Sequence, residues 1–176
     1  ITSPCSKCKG SGRIRKYRNV KVKVPAGVDT GTRLRMTGEG ELGENGGPPG
    51  DLFIYISVKP HRFFKREGTD LYCEVPVSFP QAALGAEIEV PTLDGPEKIR
   101  IPAGTPSGKE FRLKGKGVPR LNSHHRGDQI VRIYIDVPKK LTPRQKELLQ
   151  EFAEISGNEV QKGFFEKVKD FFAHNG

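Results

Sequence analysis

One stretch of this chain occurs twice. Moved along by 77 residues, positions 21–56 lie over positions 98–133 without a gap. Val24-Pro25-Ala26-Gly27 falls on Ile101-Pro102-Ala103-Gly104, Gly31 on Gly108, and Arg35 on Arg112. Gly38 and Gly40 fall on Gly115 and Gly117, and Gly50-Asp51 falls on Gly127-Asp128. Where the copies differ, they mostly trade one apolar residue for another. A tandem duplication of this kind restricts the chain to two versions of one unit. Val20-Lys21-Val22-Lys23-Val24 and Arg33-Leu34-Arg35-Met36 alternate apolar and basic residues, the period of half-buried strands, and glycine and proline punctuate them. The expected architecture is mainly β: two tandem β-sandwich-like units.

Outside the shared stretch the copies are unequal. Copy two is preceded by a strand over 70–77, a short helical turn at Phe79-Pro80-Gln81-Ala82-Ala83-Leu84 stopped by Gly85, and a strand over 86–90. A hairpin turn, Thr92-Leu93-Asp94-Gly95, follows. Copy one has a cysteine arm in that place. Its opening strands are therefore expected upstream, which makes the chain a fragment with an incomplete first unit. Residues 52–58 read as a strand covered on both faces. Residues 59–68 read as a connector anchored by Phe63-Phe64, and 129–137 as the last strand.

Two glycine patterns invite a nucleotide-binding reading and fail it. Gly38-x-Gly40-x-x-Gly43 needs a helix after it, which Asn45-Gly46-Gly47-Pro48-Pro49 forbids. Gly104-Thr105-Pro106-Ser107-Gly108-Lys109 is one residue short of a phosphate-binding loop, and Glu110 stands where a magnesium-holding hydroxyl belongs. Both sets recur because both copies need the same turns. No nucleophile, general base or anion site appears among the repeated positions, so catalysis is not expected.

Cys5-Ser6-Lys7-Cys8-Lys9-Gly10-Ser11-Gly12 has the spacing that lets two thiolates on a tight turn hold one metal ion, and the flanking cations favour the thiolate form. Structural zinc takes four ligands. Cys73 lies in a strand-like run and reads as a small core residue. The four histidines show no matching pair spacing. A redox Cys-x-x-Cys would need a βαβ context that the flanks do not supply. Cys5 and Cys8 thus read as half of a zinc site. Three cysteines form no disulfide framework, which fits a reducing, cytoplasmic compartment.

The formal charge of +9 is concentrated in the same arm: residues 1–28 carry eight cations and no acid, leaving 22 basic against 21 acidic residues afterwards. A nucleic-acid binder spreads cations over its fold and interleaves aromatics, whereas the arm has Tyr17 alone. Nucleic acid is disfavoured as a partner. No apolar run approaches a membrane span.

The C-terminal end changes period. Thr142-Pro143-Arg144-Gln145 supplies an N-cap, a proline at the first helical position and a capping-box glutamine. Leu148, Phe152 and Ile155 form an apolar stripe that Gly157 ends, and Phe164, Val168 and Phe171, with Phe165 alongside, form another. Two short amphipathic helices cannot cover each other's faces. A second copy of the chain is the expected partner for Leu148, Phe152, Phe164, Phe165, Val168 and Phe171.

Cys5-x-x-Cys8-x-Gly10-x-Gly12, the doubled Pro-Ala-Gly…Gly…Gly-x-Gly unit and Gly68-x-Asp70-Leu71 together resemble the C-terminal part of a bacterial DnaJ-type Hsp40 co-chaperone of the zinc-containing class. Pro60-His61-Arg62-Phe63-Phe64-Lys65-Arg66 and Val90-Pro91-Thr92-Leu93-Asp94-Gly95 strengthen the likeness, which covers essentially the whole chain. The resemblance implies a four-part arrangement. Residues 1–19 are the remnant of an inserted zinc-binding arm, 20–61 an incomplete first C-terminal domain, 62–138 a second, and 139–176 a helical dimerisation segment. It implies zinc held by Cys5 and Cys8 together with cysteines absent here, and a peptide groove at Val20, Val22 and Ile54, with Ile56 on the same strand face. It implies unfolded or misfolded polypeptides as clients, Hsp70 (DnaK) with its nucleotide-exchange factor as downstream partner, and a homodimer. The His-Pro-Asp domain that stimulates Hsp70 is not in this sequence, so the chain by itself is not expected to activate Hsp70. The rival readings are a basic zinc-ribbon nucleic-acid binder and a purely structural dimerisation module.

Overall fold

The structure, a computed structural model, describes residues 6–10, 12, 14–43, 46–157 and 159–174, the last stretch with the side chains of 162–170 and 173 only. Contacts divide the chain into two compact units, Ile1–Ile135 and Asp136–Gly176. The described part is mainly β with helices following, as the repeat and the capping signals indicate.

Copy two builds the closed core seen among the described residues. Strands β3 (Lys65–Glu67), β4 (Asp70–Ser78), β7 (Glu110–Leu113) and β8 (Gln129–Asp136) form a four-stranded sheet in the order β3-β4-β8-β7. A hairpin of β5 (Ala86–Thr92) and β6 (Gly95–Ile101) pairs from Ala86↔Ile101 down to Thr92↔Gly95. Helix α1 (Phe79–Leu84) joins β4 to β5. Ser78 caps it, with Gln81 answering the Ser78 backbone N–H to complete a capping box. Cys73 and Val77 from β4, Ala82 from α1, Val90, Ile99 and Ile101 from the hairpin, and Val131 and Ile133 from β8 meet in a single buried cluster. Cys73 is therefore a core residue.

Copy one contributes β1 (Arg33–Met36) and β2 (Leu52–Tyr55), paired antiparallel from Arg33↔Tyr55 to Met36↔Leu52. Its hydrogen bonds repeat those of copy two. Gly31 N–H donates to Ile56 O at 2.9 Å, as Gly108 N–H does to Ile133 O at 2.7 Å. The loops after β1 and β7 are closed at their necks by reciprocal backbone bonds. Gly40 and Gly50 donate to Gly50 O and Glu41 O, and Gly117 and Gly127 donate to Gly127 O and Val118 O.

Three expectations need correction. Residues 20–24 form no strand. Their counterparts in β6 are strand because β5 pairs with them; at the positions that align with β5, 9–15, the described residues form no strand. The strand over 52–58 stops at Tyr55 and is covered on one face only. Phe53 and Tyr55 are exposed, with the Arg33 guanidinium 5.0 Å from the centre of the Phe53 ring. The connector 59–68 contains β3, because the two-residue turn Gly68-Thr69, with Gly68 at φ 62°, folds Lys65–Glu67 back on β4.

The second unit holds helices α2 (Pro143–Ser156) and α3 (Glu159–His174). The expected capping box is present: Gln145 N–H donates to Thr142 Oγ1 at 3.3 Å, and Thr142 N–H donates to Gln145 Oε1 at 2.8 Å. Gly157, at φ 58°, closes α2 by donating to Ala153 O.

Candidate functional site

Directly opposed residues of an antiparallel pair share a face. The β1–β2 register therefore sets Leu34 and Met36 beside Ile54 and Leu52 on one half-buried apolar face. Ile56 continues that face just beyond β2, and its N–H donates to Thr32 O at 2.9 Å. The opposite face carries Arg33, Arg35, Phe53 and Tyr55. Of the expected groove residues, Ile54 and Ile56 thus stand on one face. Val20 is half-buried and Val22 is exposed, and both lie outside any strand.

The matching positions in copy two show what this face is missing. Ile54 and Ile56 align with Val131 and Ile133, both at 0% exposure; Val22 and Val24, at 37% and 52%, align with Ile99 and Ile101, at 8% and 1%. The residue types are equivalent. In copy two they close into one buried cluster with residues of β4, α1 and β5; in copy one the equivalent residues are half-buried or exposed. A half-buried apolar face next to chain outside any strand has what an added strand requires: apolar surface and main-chain groups to pair with.

Each copy is closed by a carboxylate at the same place in the repeat. Asp51 accepts from Gly38 N–H at 3.0 Å and from Arg35 Nε at 2.6 Å. Asp128 accepts from Gly115 N–H at 2.9 Å and from Arg112 Nη1 at 3.0 Å. The backbone donor first, and then the arginine, hold each carboxyl below the ordinary aspartate range. Arg18 of the basic arm pairs with Glu39.

On the outer face of the four-stranded sheet a groove of 610 Å³ is lined by His61, Phe63, Tyr72 and Tyr134 among others. Sequence reasoning did not find it, because its residues come from four separate segments. Its charges are balanced within it, Lys65 with Glu67 at 2.7 Å and Arg132 with Glu74 at 3.8 Å. His61 Nδ1 is occupied, accepting from the N–H groups of Phe63 and Phe64 at 3.1 and 3.3 Å.

For the metal, Cys5 lies outside the described residues. Cys8 is half-buried in a tight turn where Lys9 and Gly10 take φ of 49° and 92°. Among the described residues no three His, Cys, Asp or Glu side chains gather to hold an ion. Cys73 is no candidate ligand. It is sealed in the core with the Gln129 amide 3.3 Å from its sulfur, and burial pushes its thiol up. Cys5 and Cys8 can supply two of the four ligands that structural zinc takes, and among the described residues no further ligands join Cys8.

In the helical unit, Leu148, Phe152, Phe164 and Phe165 are exposed and Val168 is half-buried, with the Phe164 and Phe165 rings edge-to-face at 5.8 Å. The Phe171 side chain lies outside the described residues. Among the described residues no helix is long and apolar enough to cross a membrane.

The sequence matches the DnaJ C terminal domain over residues 6–138 and the Chaperone protein DnaJ C-terminal region over residues 144–174. It is 60% identical over 173 residues to the Chaperone protein DnaJ of Acetivibrio thermocellus, covering 97% of this chain and 45% of that protein. It is 58% identical over 176 residues to that of Methanothermobacter thermautotrophicus, covering 99% and 47%. With that of Parageobacillus thermoglucosidasius it shares 52% over 176 residues, covering 98% and 46%. The chain spans about half the length of the curated relatives it matches.

Proposed function

This chain belongs to the DnaJ family, as its C-terminal region, and from that premise we propose that it holds extended, apolar segments of unfolded polypeptides along the open face of copy one. The family is one of chaperones rather than enzymes. The observation that carries the reading is the inequality of matched positions: Val22 and Val24 are exposed and Ile54 and Ile56 half-buried where their copy-two counterparts are sealed. A client would add as a strand beside this face and place alternate side chains against it. In the whole protein such a client would pass to Hsp70 (DnaK), acting with its nucleotide-exchange factor in the cytoplasm. The zinc arm would be completed by cysteines beyond Cys5 and Cys8.

The test is the affinity of a fluorescent extended apolar peptide for the whole chain. Burying one more apolar side chain is worth about 1.5–3 kcal/mol, so Val22→Asp and Ile54→Asp should each weaken binding about tenfold or more. Added salt should leave the affinity nearly unchanged, whereas contacts to nucleic-acid phosphates would weaken steeply. Unaltered affinity in both variants sinks the reading, and a steep salt slope transfers it to the basic arm.

We also propose that the exposed stripe of α2 and α3 pairs two chains. Two linked sites would then raise the effective concentration of a client segment. Phe164→Ala should shift sedimentation towards monomer, and an unchanged dimer would refute this.

A further inference from the structure

We propose that Arg66 is a positioning residue that locks the two β copies in one orientation, with the turn at 25–29 of copy one as its receptor. Arg66 belongs to β3, in the sheet of copy two, yet its guanidinium is used on copy one. Nη1 donates to Val28 O at 2.7 Å and Nη2 to Gly27 O at 3.1 Å, while Nε donates to Gly68 O at 2.7 Å and fixes the plane of the fork. The Asp29 carboxylate stands 3.6 Å away, and the arginine side chain is only 22% exposed. A planar fork with several fixed donors suits a pair of neighbouring carbonyls, and a lysine ammonium cannot reproduce it.

The other side of the same turn is pressed against copy two. Gly27, at φ 88°, lies so close to the loop after β7 that a Cβ there would sit 2.1 Å from Pro119 O and 3.0 Å from Leu121 N. Only glycine fits, for reasons of both conformation and space.

The matched turn of copy two makes the contrast. Gly104 and Thr105 donate their N–H groups to Ala83 O and Ala82 O, both at 3.0 Å, which ties the turn to its own helix α1; a Cβ on Gly104 would meet nothing. One turn type is thus secured inside its unit through its N–H groups. Its twin is gripped by the neighbouring unit through its carbonyls. The covalent link between the copies, residues 58–64, contains no strand or helix and would by itself leave them free to rotate. The clamp of Arg66 and the seat for Gly27 remove that freedom and fix the direction in which the open face of copy one points. This inference goes beyond peptide holding and is tested with no peptide present.

Residual dipolar couplings of backbone amides, measured on the whole chain, separate the outcomes. For residues 31–56 and 108–133 of the parent, one alignment tensor should fit both sets. Arg66→Lys and Arg66→Ala should each require two tensors while amide shifts within each copy stay in place, and Gly27→Ala should do the same from the other side of the contact. Arg112→Lys, which disturbs an ion pair within copy two, should keep one tensor. A single tensor in Arg66→Lys, or two tensors already in the parent, overturns the lock. If Arg66→Ala loses the dispersed amides of β4 and β8, the lysine variant decides.

Discussion

Val131 and Ile133 are sealed, and Ile54 and Ile56, at the same places in the repeat, are not. The strands that carry them have the same register against their partners and the same Arg–Asp–Gly closure. The difference lies in the layer above. Burial here is a property of what packs on a residue, and the same residue types are sealed in copy two and half-buried in copy one. An apolar face of that sort must be covered by something, and a chaperone can use that demand for any polypeptide that presents a matching strand.

The comparison makes graded predictions. Ile133→Ala removes a fully buried side chain and should cost about 2–5 kcal/mol of stability in chemical denaturation. The matched Ile56→Ala should cost well under half of that, and equal losses would mean the two faces are equally covered. Next come the paired turns. Alanine at a positive φ costs about 1 kcal/mol or more, and at Gly27 it also meets the Pro119 carbonyl, so Gly27→Ala should lower the melting temperature further than Gly104→Ala; the reverse order would remove the seat. The smallest effect is on pH dependence. Asp51 and Asp128 both have carboxyls held below their ordinary range when folded. Each therefore contributes stability above the ordinary aspartate value that is lost as pH falls through that value to the depressed one. Asp51→Asn and Asp128→Asn should each flatten the acid limb of stability below about pH 4, and a limb unchanged in one of them would show that the two closures differ.

Much of this fold was legible. β1, β4 to β8, α1 and α2 announce themselves by period and punctuation, since each meets partners that the pattern presumes. Residues 20–24 have the pattern without the partner, and alternation cannot make a strand that nothing pairs. β3 was hidden for the opposite reason. Lys65-Arg66-Glu67 has no apolar alternation, and a two-residue turn recruits it to the sheet. Ile54 came from the family resemblance, and Ile56 from lying two residues further along on the same strand face. The grip of Arg66 was not, because its acceptors are main-chain carbonyls 38 and 39 residues away, which every residue possesses and no sequence pattern marks.

The stitched necks of the two loops have a consequence for the chain's history. Gly40 with Gly50, and Gly117 with Gly127, close each loop where it leaves the sheet, so the register of the strands does not depend on the residues between. Between positions 41–49 and 118–126 the copies keep in common only Asn45 and Asn122. A loop tied off in this way behaves like a handle on a closed drawer: its sequence can change while the strands behind it remain in register, and in copy two the handle has become the seat that Pro119 offers to Gly27.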